Sequence, residues 1–130
     1  MRPWAPVSAG ARGGLTESNS LPIPARMDTL ARLEATITER LKAAPGESYV
    51  ASLAARGLPV IARKLGEEST EAVIAALTGG EEELIGEAAD VLFHLLVLLA
   101  KKEIPLARVL EELERREGTS GLAEKAARGA

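Results

Sequence analysis

Residues Glu87–Ala100 read EAADVLFHLLVLLA. The run is apolar nearly all round, and Asp90 and His94 interrupt it. A helix apolar on every side is a core helix, and its longest apolar run, VLFHLLVLLA (91–100), is about half of what a bilayer span needs. Few residues in it are β-branched and the chain's aromatic content is 2%. The core is therefore built from Leu, Ala, Val and Ile, which favours helix over sheet. No segment alternates with period two, so no sheet is expected.

Outward from this run the chain divides into helices with legible ends. Upstream, Glu81-Glu82-Glu83 place acids at the positive start of the same helix, and it ends before Pro105. The preceding helix opens at Gly57-Leu58-Pro59, with Pro59 in its first turn, and stops at Thr78-Gly79-Gly80. Ser48 is placed to cap a short helix through YVASLAAR, after a break at Ala44–Ser48. Leu30, Leu33, Ile37 and Leu41, spaced 3, 4 and 4, mark the first helix, with Asp28 at its N-cap. A last helix over about 106–117 is expected to bury Val109, Leu110 and Leu113.

The expected domain is thus 27–117, an all-α antiparallel bundle of four to five helices. Residues 1–26 carry four of the seven prolines and no helical period. They read as a disordered tail, with Trp4 exposed, and as either an upstream extension or a leader. Residues 118–130 form a C-terminal tail. The net charge of −3 argues against nucleic-acid binding through phosphate. With no cysteine, disulfides, zinc fingers and thiol chemistry are excluded, which fits the cytoplasm. No segment reads as a secretory signal or membrane span.

The acidic residues raise the question of function. On a wheel of the Leu58–Leu77 helix, Leu58, Ile61, Leu65, Ala72 and Ala76 form the apolar stripe. Glu68 sits at its border. Glu71 and Lys64 lie just beyond it, and Glu67 is farther round. Alone, Glu67, Glu68 and Glu71 would be a solvated face, with Lys64–Glu68 an i, i+4 pair. Glu87, Asp90 and His94 alter that reading, because they share one stripe of the apolar helix. Unpaired ionised carboxylates in an apolar interior are costly, so a positive partner is required.

The Gly79-Gly80 turn makes the two helices antiparallel, with Glu71 about seven residues before it and Glu87 about seven after. The pairs Glu68/Glu71 and Glu87/Asp90 then face each other. Four carboxylates with no sulfur suit Mg²⁺, with Mn²⁺ as the alternative, and such a site serves phosphate substrates. Lys64 is half of a surface ion pair or a phosphate anchor. His94 reads as a core histidine bonded to Glu87 or Asp90, or as a metal ligand. A di-iron bundle is excluded, because it needs two Glu-x-x-His motifs. Glu81, Glu82 and Glu83 read as surface acids.

The strings SY (48–49), KLGEESTE (64–71) and EAADVLFHLLVLL (87–99) resemble the phosphoribosyl-ATP pyrophosphohydrolase family of histidine biosynthesis. That family lies within the all-α, MazG-like nucleotide pyrophosphohydrolase superfamily, and the resemblance covers roughly 28–117. It implies a bundle completed by dimerisation and Mg²⁺ on Glu68, Glu71, Glu87 and Asp90. It also implies hydrolysis of phosphoribosyl-ATP to phosphoribosyl-AMP and pyrophosphate. Glu67 or Glu68 would activate the water, Lys64 would contact phosphate, and His94 would support a carboxylate. Where broader superfamily motifs place a lysine, this chain has Leu84. A house-cleaning (d)NTP pyrophosphohydrolase and a non-catalytic helical dimerisation module are the rival readings.

Overall fold

The computed structural model describes residues 28–117, 125–126 and 128–129. The expected N-terminal tail, Trp4 and most of the C-terminal tail lie outside them. Five helices follow in order: α1 (Thr29–Leu41), α2 (Tyr49–Arg56), α3 (Leu58–Thr78), α4 (Glu81–Lys101) and α5 (Leu106–Glu117). A 3₁₀ turn at Pro45–Glu47 precedes α2, and no strand occurs among the described residues.

Local chemistry sets most of the helix ends. Ser48 Oγ accepts from the Ala51 N–H at 3.0 Å and caps α2. Gly57 alone joins α2 to α3. Its φ of 101° lies where side chains are strained, and Pro59 follows in the first turn of α3. Asp28 does occupy the N-cap position of α1, yet its side chain makes no capping bond. The α5 N-terminus is capped from a distance: the Leu106 N–H donates to Glu34 Oε2 of α1 at 2.7 Å. At the end of α4, Glu103 adopts φ 59°, and the Ile104 N–H closes back onto the Leu99 carbonyl at 2.9 Å.

The core gathers Ile37 from α1, Val50 and Leu53 from α2 and Ile61 from α3 around Phe93, Leu96 and Val97 of α4. Leu106 of α5 closes it. Three expectations of burial are corrected. In α3 the buried position is Ala75, while Ala76 is exposed, so the stripe runs through Ile61, Glu68 and Ala75. The face of α3 that is buried is offset from the expected stripe, so Glu68 lies within it and not at its border. In α4 one side remains open, with Ile85 55% and Leu92 46% exposed. In α5 Val109 is partly buried, but Leu110 and Leu113 are exposed. A single chain of this size has too few helices to surround α4 or cover the far side of α5.

Candidate active site

Helices α3 and α4 form a hairpin closed by Gly79 and Gly80, which places their acidic residues opposite each other. Space at Gly79 is tight. A Cβ there would lie 2.9 Å from Glu83 Oε2 and 3.1 Å from the Ala75 carbonyl oxygen. Glu83 stays on the surface, as expected of it. It also leans over the turn and lines a hollow of about 250 Å³ with Glu71, Ile74, Ala75 and Glu87.

One carboxylate oxygen from each of Glu68, Glu71 and Glu87 lies within 4.8 Å of the others. Glu68 is 8% exposed, Glu87 is half-buried and Glu71 faces solvent. Repulsion from the Glu68 carboxylate, and then from Glu87, holds the Glu71 carboxyl above the usual range. Glu68 Oε1 meets Lys64 Nζ at 3.5 Å, whereas Glu68 Oε2 is buried with no hydrogen-bond partner. A buried carboxylate oxygen without a donor, beside two further carboxylates, is a donor set that could hold a hard divalent cation.

Asp90 is 3% exposed and lies outside that trio. Three residues along a helix carry a side chain about 4.5 Å further and about 60° round. That offset sets Asp90 deeper in the hairpin than Glu87, as Glu68 is deeper than Glu71. Three of the four expected carboxylates converge, and Asp90 is buried about one turn farther from the hairpin's end than Glu87.

Glu67 stands on the outer side of α3. Its carboxylate pairs with Arg63 Nε at 3.4 Å and Lys64 Nζ at 3.6 Å. With Arg63, Gly66, Thr70 and Glu71 it lines an open hollow of about 580 Å³ beside the trio. Burial by itself would lower the Lys64 pKa. The Tyr49 phenol and the carboxylates of Glu68 and Glu67 outweigh it and hold Lys64 above its ordinary value.

His94 belongs to the core side of the site, 2% exposed. Its bond is to Asp90, but to the main chain: Nδ1 lies 2.8 Å from the Asp90 carbonyl oxygen. Its Nε2 lies 2.9 Å from the Tyr49 hydroxyl. Both ring nitrogens are thus engaged by groups of the protein. Burial, then the field of Lys64, pushes its pKa down to about 4. Tyr49, whose phenol is raised by burial, is the residue that sequence reasoning passed over. It stands in the quoted SY pair, but its partner is 45 residues away.

Residues 30–117 match the model of the phosphoribosyl-ATP pyrophosphohydrolase family. The chain is also similar to curated proteins named phosphoribosyl-ATP pyrophosphatase. That of Novosphingobium aromaticivorans is 64% identical over 101 residues, covering 78% of this chain and 94% of the relative. That of Erythrobacter litoralis is 64% identical over 103 residues, 79% and 99% of the two chains. That of Cereibacter sphaeroides is 55% identical over 103 residues, 79% of this chain and all of the relative. With a family match that spans the whole helical domain and relatives this close, the chain belongs to the phosphoribosyl-ATP pyrophosphohydrolase family.

Proposed function

We propose that the protein hydrolyses phosphoribosyl-ATP to phosphoribosyl-AMP and pyrophosphate, the second step of histidine biosynthesis, with Mg²⁺ held by carboxylates. The observation that carries the chemistry is Glu68: a buried carboxylate oxygen with no donor, among converging acids. Glu68, Glu71 and Glu87 are the residues that hold the ion, with Asp90 as the buried fourth acid. Mn²⁺ suits the same donors. A bound divalent ion supplies neutralisation of phosphate charge and stabilises the pyrophosphate leaving group.

The remaining work falls to side chains. Glu67 or Glu68 orients the attacking water and accepts its proton as the water oxygen bonds to phosphorus. The anhydride bond breaks and pyrophosphate departs. Lys64, beside Glu68, contacts a phosphate. His94 fixes the backbone at Asp90 and is not a ligand in this reading.

The working form in this proposal is a homodimer. Val73 and Leu77 of α3 and Ile85 and Leu92 of α4 are 46–80% exposed on the hairpin, a surface that a second copy would cover. No helix among the described residues is long and apolar enough to cross a membrane. A cytoplasmic enzyme that binds a small nucleotide, and neither nucleic acid nor membrane, is the form proposed.

Pyrophosphate release from phosphoribosyl-ATP, measured beside release from canonical and damaged dNTPs, tests this. Preference for phosphoribosyl-ATP, and loss of turnover in Glu71→Gln and Asp90→Asn with the fold retained, is the expected result. Preference for a dNTP overturns the substrate. Absence of both Mg²⁺ binding and turnover would leave a dimerisation module.

A further inference from the structure

Arg63 is a cation beside the site that the proposed chemistry does not use. It shares one stripe of α3 with Glu67 and Glu71, at i, i+4 and i+8. Its Cα is therefore about 12 Å along the helix from that of Glu71. Its contact with Glu67 Oε2 is 3.4 Å long and runs through Nε, which leaves the two terminal amino groups of the guanidinium for another acceptor. The two side chains of that pair are 63% and 51% exposed. An ion pair so exposed is weak, so a stronger acceptor can displace it.

The hollow of about 580 Å³ beside α3 has room for such an acceptor. Its volume falls within the roughly 300–1,000 Å³ of small-molecule sites. Gly66 faces open space, since a Cβ there would meet no atom within 4 Å. The Thr70 hydroxyl donates back to the Gly66 carbonyl at 3.1 Å, so the guanidinium is the side-chain donor that this lining offers to a ligand. Glu71 belongs both to this hollow and to the carboxylate trio, which makes the two continuous. It also lines the smaller hollow on the Glu83 side, but that lining carries no cation. An anion held at the trio is therefore drawn towards Arg63. The acids on that path do not repel it unopposed. Glu67 stands between Arg63 and Lys64, at 3.4 and 3.6 Å, and Glu71 is one of the acids proposed to hold the ion.

We propose that Arg63 is a substrate-binding residue: across the hollow it shares with Glu71, its guanidinium takes oxygens of the phosphate chain held at the trio, the part that leaves as pyrophosphate. The planar fork suits two phosphate oxygens at once. This rests on the phosphoribosyl-ATP reading and on Glu68, Glu71 and Glu87 as the metal site.

Calorimetry on the full chain with Mg²⁺-pyrophosphate tests it. Arg63→Gln keeps a polar side chain on an exposed face and removes the charge and the fork. Its Kd for Mg²⁺-pyrophosphate and its KM for phosphoribosyl-ATP should each rise about 10-fold. Its Kd for Mg²⁺ alone should not rise, because Arg63 holds no ion. The rise for pyrophosphate should persist when both proteins also carry Glu67→Gln, because the contact is to phosphate and does not act through Glu67. An unchanged Kd for Mg²⁺-pyrophosphate overturns the inference; if KM alone rises, the guanidinium meets another part of the substrate. Loss of the effect in the Glu67→Gln background overturns it too, as does weaker binding of Mg²⁺ alone. If the unmodified protein does not turn over phosphoribosyl-ATP, the substrate reading falls separately, and the pyrophosphate measurement still decides on Arg63. Absence of Mg²⁺-pyrophosphate binding by the unmodified protein overturns the inference itself.

Discussion

The state of His94 makes acid stability a sharp test of the core. In the folded chain its pKa is about 4, against an ordinary 6.5, because burial and Lys64 disfavour the imidazolium. Below pH 6.5 the unfolded chain takes up a proton that the folded chain refuses. Stability from this group is therefore complete above pH 6.5 and is lost as pH falls towards 4. The gap, at about 1.36 kcal/mol per pH unit, amounts to about 3 kcal/mol at most. By pH 5 the loss is about 2 kcal/mol. That corresponds to roughly 8–16 °C in Tm for a domain of this size. Carboxylates also titrate in this range, so the comparison that isolates His94 is His94→Gln. Glutamine cannot take up the proton, and its side-chain oxygen can still accept from Tyr49. Urea melts of both proteins from pH 7 to pH 4, at one protein and Mg²⁺ concentration, give the difference. The unmodified protein should lose about 2 kcal/mol more than His94→Gln by pH 5. Parallel losses in the two proteins would refute the buried, neutral imidazole.

Other outcomes follow from the same geometry. Mg²⁺ at about 100 times its dissociation constant should stabilise the fold by about 2.7 kcal/mol, read as a rise in Tm that a chelator reverses. Glu71→Gln should raise the metal-free Tm by removing repulsion from Glu68 and Glu87 while shrinking the Mg²⁺ effect. Ser48→Ala removes the cap of α2 and should cost about 1 kcal/mol in chemical denaturation. Glu34→Ala strands the Leu106 N–H and should cost about 1–2 kcal/mol, with hydrogen exchange fastest in α5, and Glu34→Gln should recover most of it.

Helix existence and most helix ends were legible because their signals are local. Ser48, Gly57 with Pro59, and Gly79 with Gly80 act on neighbours within a few residues, and the helices end where these residues stand. The first helical residue of α1 is Thr29, and Asp28 marks it by position without a side-chain bond. The spacing of Glu68, Glu71 and Glu87 was legible for the same reason. A two-glycine turn and a 3.6-residue period leave little freedom in which acids meet.

The sequence by itself determined an all-α chain, its helix order, and a pair of acidic stripes brought together by one hairpin. These follow from periodicity and capping, which act within one helix or across one turn. Tertiary packing decided the rest. It chose which residue of α3 faces inward, and so buried Glu68 with an oxygen that no donor reaches. It left one side of α4 open. It joined Glu34 to α5 and Tyr49 to His94 across 72 and 45 residues. No period along one helix encodes such contacts, because they depend on the angle and height at which separate helices meet.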